Sequence, residues 1–247
     1  MMRVHFLGTM GWYDTELGNT LCVLVETPRE YVIFDAGNGF AKADSYLRKD
    51  KPVYLFLSHF HLDHIIGLHA LNKFDLPQGI DVFGPSGIKK MFNLIINSPY
   101  SKPLAKLKTR VRIKELSGRL KLPIDIQFKE LIHTTVCFGY RLSYKGKVVA
   151  FCTDTGLCNN LASLARNADL LILESSLRPG EPDRGWPHLN PQQAATVARK
   201  GFAGKLALVH FDAADYSRES DIQSAGTAAR KIFKNTITAR DGKCIEI

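Results

Sequence analysis

The chain has 247 residues, of which 45% are hydrophobic and 23% are charged, and its formal net charge is +9. This composition is typical of a globular protein with a sizeable core. No apolar run approaches the roughly 20 residues that span a bilayer, and the first residues lack the features of a signal peptide. Five cysteines without a C-x-x-C pair predict reduced thiols in a cytoplasmic protein that binds no membrane.

The first part of the chain predicts short strands that lead to a cluster of histidines. Runs rich in β-branched and aromatic residues predict strands over residues 3–7, 21–26, 30–35 and 53–57. The last of these is continuously apolar, as expected for a strand that is covered on both faces. We expect a helix after the histidine cluster, as far as Leu71, and a second over 86–97 with Ser86 as its N-cap.

The rest of the chain interleaves strands and helices. Strands are predicted over 110–116, 126–132, 138–144, 147–152, 169–173, 206–211 and 243–247. Helices are predicted over 159–167, 190–200 and 217–233, and Lys145-Gly146 predicts a hairpin turn. No repeat or long linker divides the sequence. We therefore expect one domain over residues 1–247, an α/β fold whose sheets carry helices on their outer faces.

Positive charge is concentrated between Pro99 and Pro123. Eight basic residues against one glutamate give this segment a net charge of +7, and they are Lys102, Lys106, Lys108, Arg110, Arg112, Lys114, Arg119 and Lys121. Such a cluster attracts phosphates in a salt-dependent manner, so nucleic acid is a candidate partner through residues 99–123. The alternative is a solvated basic face that keeps the protein soluble, and charge alone does not choose between them.

The stretch SHFHLDHIIG, residues 58–67, follows the apolar strand 53–57 and holds four metal-binding side chains within six positions. A loop at the end of a strand is a usual place for functional groups. In an extended loop, His59 and His61 project the same way, whereas Asp63 and His64 come round the start of a helix towards a second point. Imidazole and carboxylate are ligands of zinc and similar divalent metals, so the stretch predicts a metal site.

The stretch from His59 to His64 resembles the H-x-H-x-D-H signature of the metallo-β-lactamase-fold hydrolases. Residues that match further positions of that family follow in the right order, namely His133 and Asp154, each after a predicted strand, and His210, near the end of the predicted strand 206–211. Asp35, before a glycine turn, resembles an acidic residue of the family. The resemblance covers most of the chain and implies a four-layer αβ/βα sandwich.

The resemblance also implies a site for two divalent metals, with zinc expected and manganese or iron as alternatives. The implied ligands are His59, His61 and His133 for one metal and Asp63, His64 and His210 for the other. Asp154 would bridge the metals together with the attacking hydroxide, and Asp63 is also included among the catalytic residues. Asp35 would support the ligands through hydrogen bonds.

The type of hydrolase depends on Glu174 and His188. They resemble the ribonuclease Z and phosphodiesterase branch, in which a glutamate after a strand partners a later histidine. By this resemblance His188 would protonate the leaving oxygen and Glu174 would orient its imidazole. The alternative is a surface histidine in a loop rich in glycine and proline. Asp154 argues against a class B β-lactamase, and the short sequence after His210 argues against a glyoxalase II-like thioesterase.

The chain shows no insertion of the size of the arm with which ribonuclease Z grips tRNA. A cyclic or other small phosphodiester is therefore the expected substrate, and an RNA 3′ end is a further candidate. Two alternatives remain: a lactonase or other carbonyl-ester hydrolase with the same metals, and a non-catalytic nucleic-acid-binding protein. Relatives in this branch are often dimers, so a homodimer is a candidate assembly.

Overall fold

Strands and helices interleave in a computed structural model that describes residues 1–117, 121–183 and 185–247. Within these residues the strands are β1 (Arg3–Gly8), β2 (Met10–Gly11), β3 (Cys22–Glu26), β4 (Tyr31–Phe34), β5 (Val53–Phe56), β6 (Ile80–Gly84), β7 (Val111–Glu115), β8 (Ile126–Leu131), β9 (Cys137–Tyr144), β10 (Lys147–Cys152), β11 (Leu170–Glu174), β12 (Leu206–Val209), β13 (Phe211–Asp212), β14 (Thr236–Thr238) and β15 (Cys244–Glu246). The α-helices are α1 (Leu62–Ile65), α2 (Ile88–Ile95), α3 (Asn159–Ala165), α4 (Pro191–Lys200) and α5 (Glu219–Arg230), and 3-10 helices span Asn38–Ser45, Ile66–Lys73 and Leu104–Lys106. Across the described ranges, no helix combines the length and apolarity that a membrane crossing needs. Arg119 of the basic segment lies outside these ranges.

The strands form two mixed sheets. One sheet has the order β15-β1-β3-β4-β5-β6-β7, the other has the order β14-β12-β11-β10-β9-β8, and β2 pairs with β13 separately. Strands β4 to β7 run parallel to one another, and so do β10, β11, β12 and β14. Because the carboxyl ends of parallel strands meet at one edge of a sheet, residues that follow β4 and β5, or β10, β11 and β12, are placed close together.

Three apolar cores in the described residues separate four layers. The core between the sheets takes side chains from both, among them Val23, Phe56, Tyr140 and Ile172. A second core packs the outer face of the β10–β12 sheet against α3, α4 and α5. A third packs the outer face of the other sheet against α2 and the 3-10 helices. The predicted four-layer αβ/βα sandwich is confirmed.

Phe34 occupies the centre of the core between the sheets. Its ring stacks on that of Phe151, with the centroids 5.0 Å apart, and lies 5.6 Å from that of Tyr140. Phe34→Ala should lower the free energy of unfolding by about 3–5 kcal/mol, because the cavity adds to the loss of buried area. Urea unfolding measures this change. Leu94→Ala, at a 61% exposed position of α2, is the control and should change stability by less than about 1 kcal/mol. Equal losses of stability in both variants would contradict the central place of Phe34.

Several elements differ from the sequence prediction. The expected helix after the histidines is the single turn α1 followed by a 3-10 helix. Ser86 does not cap α2, since Gly87 takes the N-cap with φ of 92°, a left-handed conformation that favours glycine. The expected strand 206–211 is interrupted at His210, where φ is 54°. Strands β6 and β14 were not predicted.

Candidate metal centre

The side chains expected to bind metal lie together at one edge of the sandwich. His59 and its neighbours follow β5 of one sheet, and the others follow strands β8, β10 and β12 of the second sheet. Their ligand atoms fall into groups whose members lie within 4.8 Å of one another: His59, His61, His133 and Asp154, and Asp63, His64 and His210. Two halves of the chain that are far apart in sequence therefore contribute to one centre.

The first group surrounds one oxygen of Asp154. His61 Nδ1 lies 3.2 Å from His133 Nε2. Asp154 Oδ2 lies 3.7 Å from His59 Nε2 and 3.6 Å from His133 Nε2. Three imidazoles and a carboxylate thus present nitrogen and oxygen lone pairs to a common point, and this donor set suits zinc and other divalent metals.

The second group surrounds the other oxygen of Asp154. His64 Nε2 and His210 Nε2 are 3.0 Å apart, and Asp63 Oδ2 lies 3.3 Å and 3.1 Å from them. Asp154 Oδ1 lies 3.3 Å from His64 Nε2 and 3.2 Å from His210 Nε2. One carboxylate therefore faces both groups with separate oxygens, as a bridging ligand requires.

The residues of the centre fit a metal. The Nε2 atom of His59 is buried and has no hydrogen-bond partner, although a buried polar atom without a partner is costly. Nitrogen and oxygen ligands at about 2.0–2.1 Å from a tetrahedral zinc lie roughly 3.3 Å apart, close to the spacings in the second group. Burial and the neighbouring His64 imidazole lower the pKa of His59 well below its usual range, which favours the neutral form that binds metal.

Hydrogen bonds hold the histidines in position through the ring nitrogen that faces away from the centre. Asp35 Oδ2 lies 2.8 Å from His64 Nδ1 and accepts the Ser58 hydroxyl at 2.8 Å. Ser58 Oγ lies 2.9 Å from His59 Nδ1. Ser176 Oγ lies 2.8 Å from His210 Nδ1. Such contacts fix the orientation of a ring and leave its other nitrogen available to a metal.

The carboxylates of the centre favour their charged form. Burial alone would raise the pKa of Asp63 and of Asp154, but the imidazoles of His64 and His210 hold both pKa values well below the usual range. A carboxylate must be deprotonated to bind a metal with either oxygen, so both groups are ready to do so near neutral pH. In Asp154 the backbone adopts φ of 48°, a left-handed conformation that aspartate tolerates better than most residues.

Glu174 and His188 form a pair beside the centre. Glu174 Oε1 lies 2.8 Å from His188 Nδ1, and the glutamate is fully buried. The same carboxylate accepts the backbone N–H groups of Thr155, Ser176 and Leu189. The side chain of His188 is only 14% exposed, so it is not a surface histidine. One of its ring nitrogens lies within 4.8 Å of ligand atoms of Asp154 and His210.

The protonation of His188 is set by two opposing effects. Burial lowers its pKa, but the adjacent Glu174 carboxylate outweighs burial and raises the pKa to about 9. The imidazole therefore carries a proton on both nitrogens at neutral pH. Since Nδ1 is directed at Glu174, Nε2 is the nitrogen that can donate a proton elsewhere.

A cavity of about 780 Å³ opens over the centre. Asp63, Asp154, His188 and His210 lie in its wall, which otherwise combines aromatic and apolar side chains with polar and acidic ones. Its volume is within the usual range for small-molecule sites. The described residues of the basic segment do not line this cavity.

The basic segment runs along the edge strand β7. Arg112 forms an ion pair with Asp81, and the Lys102 ammonium donates to Asn72 Oδ1 at 2.8 Å. Lys106, Lys108 and Arg110 are exposed. Charged side chains on an edge strand discourage pairing with other chains, which gives this segment a structural role whether or not it binds phosphate.

Several residues that shape the centre were not predicted from the sequence. Ser58 and Ser176 are too common a residue type to be singled out. A Cβ at Gly11 would lie 2.6 Å from the His210 ring, so only glycine fits there. The backbone N–H of Trp12 donates to Asp63 Oδ2 at 2.8 Å. The contacts that these residues make with the centre can be recognised only in the three-dimensional structure.

Comparison with known proteins gives the family. A family model described as a beta-lactamase superfamily domain matches residues 30–211, about three quarters of the chain. The chain belongs to the beta-lactamase superfamily. The matched range begins before β4 and ends just after His210, so it includes strands of both sheets and each of the side chains in the two ligand groups.

Individual members of the superfamily align over nearly the whole chain. The ribonuclease Z of Synechococcus sp. (strain CC9605) is 26% identical, and the alignment covers 100% of this chain and 98% of that protein. It extends over 317 positions, 70 more than the 247 residues here, so the relative has segments that this chain lacks. The predicted resemblance to the ribonuclease Z-like branch of the superfamily is confirmed.

Solved structures share the fold. The metallo-beta-lactamase fold protein YhfI from Bacillus subtilis superposes with a TM-score of 0.82, at 21% identity and with both chains fully covered. The short form of human tRNase Z superposes with a TM-score of 0.76, at 23% identity and with 99% of each chain covered. At this level of identity the likeness establishes the architecture.

Proposed function

We propose that this protein is a metal-dependent phosphodiesterase. The observation that carries the proposal is the Glu174–His188 pair, which sets a protonated imidazole beside two groups of metal-binding side chains. A phosphodiester with an alkoxide leaving group needs such an acid, because an alkoxide is a poor leaving group. The likeness to proteins named ribonuclease Z also supports phosphodiesterase activity, because a ribonuclease cleaves the phosphodiester bonds of RNA.

The proposed ligands are His59, His61 and His133 for one metal and Asp63, His64 and His210 for a second, with Asp154 between them. Zinc suits this donor set best, and manganese or iron are alternatives. When bound, the metals would lower the pKa of a water molecule and offset negative charge on the attacked and leaving oxygens. Asp154 serves both positions because its two oxygens face different groups.

The chain's own residues would carry the proton to the leaving oxygen. His188 donates from Nε2, while Glu174 accepts the hydrogen bond from Nδ1–H and keeps the ring turned towards the cavity. Glu174 in turn is fixed by backbone N–H groups, so the acid is held by the ends of β10 and β11 as well as by its own loop. Positioning of this kind avoids an entropic cost at the moment of reaction.

The preferred substrate is a small or cyclic phosphodiester. The alignment with ribonuclease Z leaves 70 positions without a counterpart here, which agrees with the missing arm inferred from the sequence. An RNA 3′ end remains a second candidate substrate, supported by the ribonuclease Z relatives and by the exposed cations of the basic segment.

Hydrolysis of bis-p-nitrophenyl phosphate tests the proposal. We expect turnover after loading with Zn²⁺ or Mn²⁺ and loss of turnover after chelation. The same preparation should be assayed with a lactone and a thioester. If either of these is cleaved and the diester is not hydrolysed with any metal, the proposed phosphodiesterase activity is wrong and the protein is a carbonyl-ester hydrolase. Absence of metal together with RNA binding would favour the non-catalytic alternative.

Neutralising exposed cations of the basic segment separates the two substrate candidates. In the triple variant Lys106→Gln, Lys108→Gln and Arg110→Gln, hydrolysis of bis-p-nitrophenyl phosphate should not change. If RNA is the substrate, its KM should rise, and the slope of log affinity against log salt should fall by about 0.7 for each phosphate that the variant no longer neutralises. An unchanged KM for RNA in this variant would show that the basic segment does not bind the substrate.

Three further proposals concern the whole chain. Residues 1–247 form a single domain, supported by the pairing of β15 with β1 and by a shared core between the sheets. A homodimer is the proposed assembly, on the likeness to the ribonuclease Z-like branch. The five free cysteines, Cys22, Cys137, Cys152, Cys158 and Cys244, support a reducing, cytoplasmic location.

A further inference from the structure

Two exposed tryptophans flank the cavity over the centre. Trp12 is 65% exposed and Trp186 is 54% exposed, and both line the cavity. Large aromatic side chains left open to solvent around a pocket mark a surface that binds something. The chain contains only these two tryptophans, so both of its indoles are at this one place.

Trp12 lies on the side of Asp63 and His210. Its backbone N–H donates to Asp63 Oδ2, and Gly11 before it packs against the His210 ring. Strand β2, which ends at Gly11, pairs with β13, which begins just after His210. Trp12 itself has φ of 69°, an unusual conformation for a bulky residue that these contacts maintain. The position of the indole is therefore tied to the second ligand group.

Trp186 lies on the other side, against the first ligand group. The centroid of its ring is 5.8 Å from that of His61 and 6.2 Å from that of His133. Two residues further on is His188, the proposed acid. A phosphodiester centred near Asp154 would thus have one indole on the side of each ligand group, and each of its two ester substituents could extend towards one of them.

We propose that Trp12 and Trp186 stack on planar rings of the substrate, so that the site takes phosphodiesters that carry a nucleobase. This inference rests on the proposed function and names the substrate class of the same site. Aromatic side chains stack on any base, because every base presents a π-face, and the contact is tolerant of sequence. The cavity of about 780 Å³ has room for a nucleotide-sized ligand.

The test compares two phosphate ligands that differ in the base. Adenosine 5′-monophosphate and ribose 5-phosphate are titrated into the zinc-loaded protein, and tryptophan fluorescence reports on the two indoles alone. The nucleotide should bind more tightly and quench the fluorescence. This nucleotide has a single base, so the alanine variant that removes the indole it contacts, Trp12→Ala or Trp186→Ala, should weaken its binding by about 5- to 150-fold, the range for one stacked base. Binding of ribose 5-phosphate should change less than two-fold.

Phenylalanine variants and a distant control exclude a loss of folding as the cause. Trp12→Phe and Trp186→Phe should keep most of the preference for the nucleotide, and calorimetry replaces fluorescence where an indole has been removed. Leu94→Ala, at an exposed position of α2 that does not line the cavity, should behave like the wild type.

The results separate this inference from the proposed function. Equal affinity for both ligands in the wild type, with bis-p-nitrophenyl phosphate still hydrolysed, would overturn the stacking role and leave the phosphodiesterase intact. A nucleotide preference that disappears in one of the two alanine variants, without hydrolysis of any diester, would support stacking and overturn the phosphodiesterase. A preference that survives both alanine variants would also overturn the inference.

Discussion

His188→Ala should lower kcat/KM by about 10²- to 10⁴-fold for a diester whose leaving group is an alkoxide, the usual contribution of a general acid. For bis-p-nitrophenyl phosphate the decrease should be much smaller, because p-nitrophenolate leaves without a proton at neutral pH. The two substrates, assayed side by side, therefore measure the acid role directly. A purely structural role of His188 would reduce both rates equally.

The dependence on pH gives a second measure of the same proton. With a pKa of about 9, His188 is protonated below that value and gives up its proton as the pH rises through it. Hydrolysis of the alkoxide substrate should fall over this range in the wild type, and His188→Ala should abolish that limb of the profile. His69→Ala, which removes an exposed histidine outside the cavity, should change neither the rates nor the profile. A retained alkaline limb in His188→Ala would contradict the assignment.

Asp154→Asn should produce the other large effect. The amide has one oxygen in place of two, and its NH2 group cannot bind a metal, so one ligand group is left without its shared carboxylate oxygen. We expect less bound metal per chain and a fall in kcat/KM of at least about 100-fold, since even groups that only support metal ligands are worth about 10- to 100-fold. Elemental analysis of dialysed protein and assays on the same sample measure both.

Asp75→Asn provides the matched control for this substitution. Asp75 forms an exposed ion pair with Lys49, and such pairs contribute little to stability. Metal content and activity should stay at wild-type values. Full metal content in Asp154→Asn would show that this carboxylate does not bridge, and the centre would then have to be divided among the remaining side chains.

Much of the fold followed from local chemistry. The turn at Lys145-Gly146 has φ of 49° and 78°, the conformation of the two-residue hairpin loop expected there. Asn190 caps α4 by accepting the backbone N–H of Gln193, with Pro191 at the first helical position. These features depend on residues that are adjacent in sequence, and for that reason the sequence predicts them.

The break in the strand at 206–211 depends on contacts with distant residues. His210 leaves the extended conformation because its backbone N–H bonds to Thr9 O and its ring packs over Gly11. Both partners lie about 200 residues away along the chain. Propensity within a short window contains no information about such neighbours, so the window 206–211 predicted one uninterrupted strand.

The residues of the candidate site also divide into those that the local sequence predicts and those that it does not. His59, His61, Asp63 and His64 could be named because four metal-binding residues within six positions are rare. His133, Asp154 and His210 came from the family resemblance, and the structure brings all of them to one point. The flanking pair Trp12 and Trp186 was not predicted, since an isolated aromatic residue in a loop gains meaning only when its neighbours in space are known.

Because the proposed ligands come from both sheets, a metal bound at the centre would also affect the stability of the folded chain. A bound metal would join His64 to His210, two residues separated by 146 positions, and the first group would join His61 to His133. Each link is a reversible cross-link between the two sheets. Ions that bind only the folded chain stabilise it by mass action, and closing long loops removes entropy from the unfolded chain. The metal that supports catalysis would therefore also hold the two halves of the sandwich together.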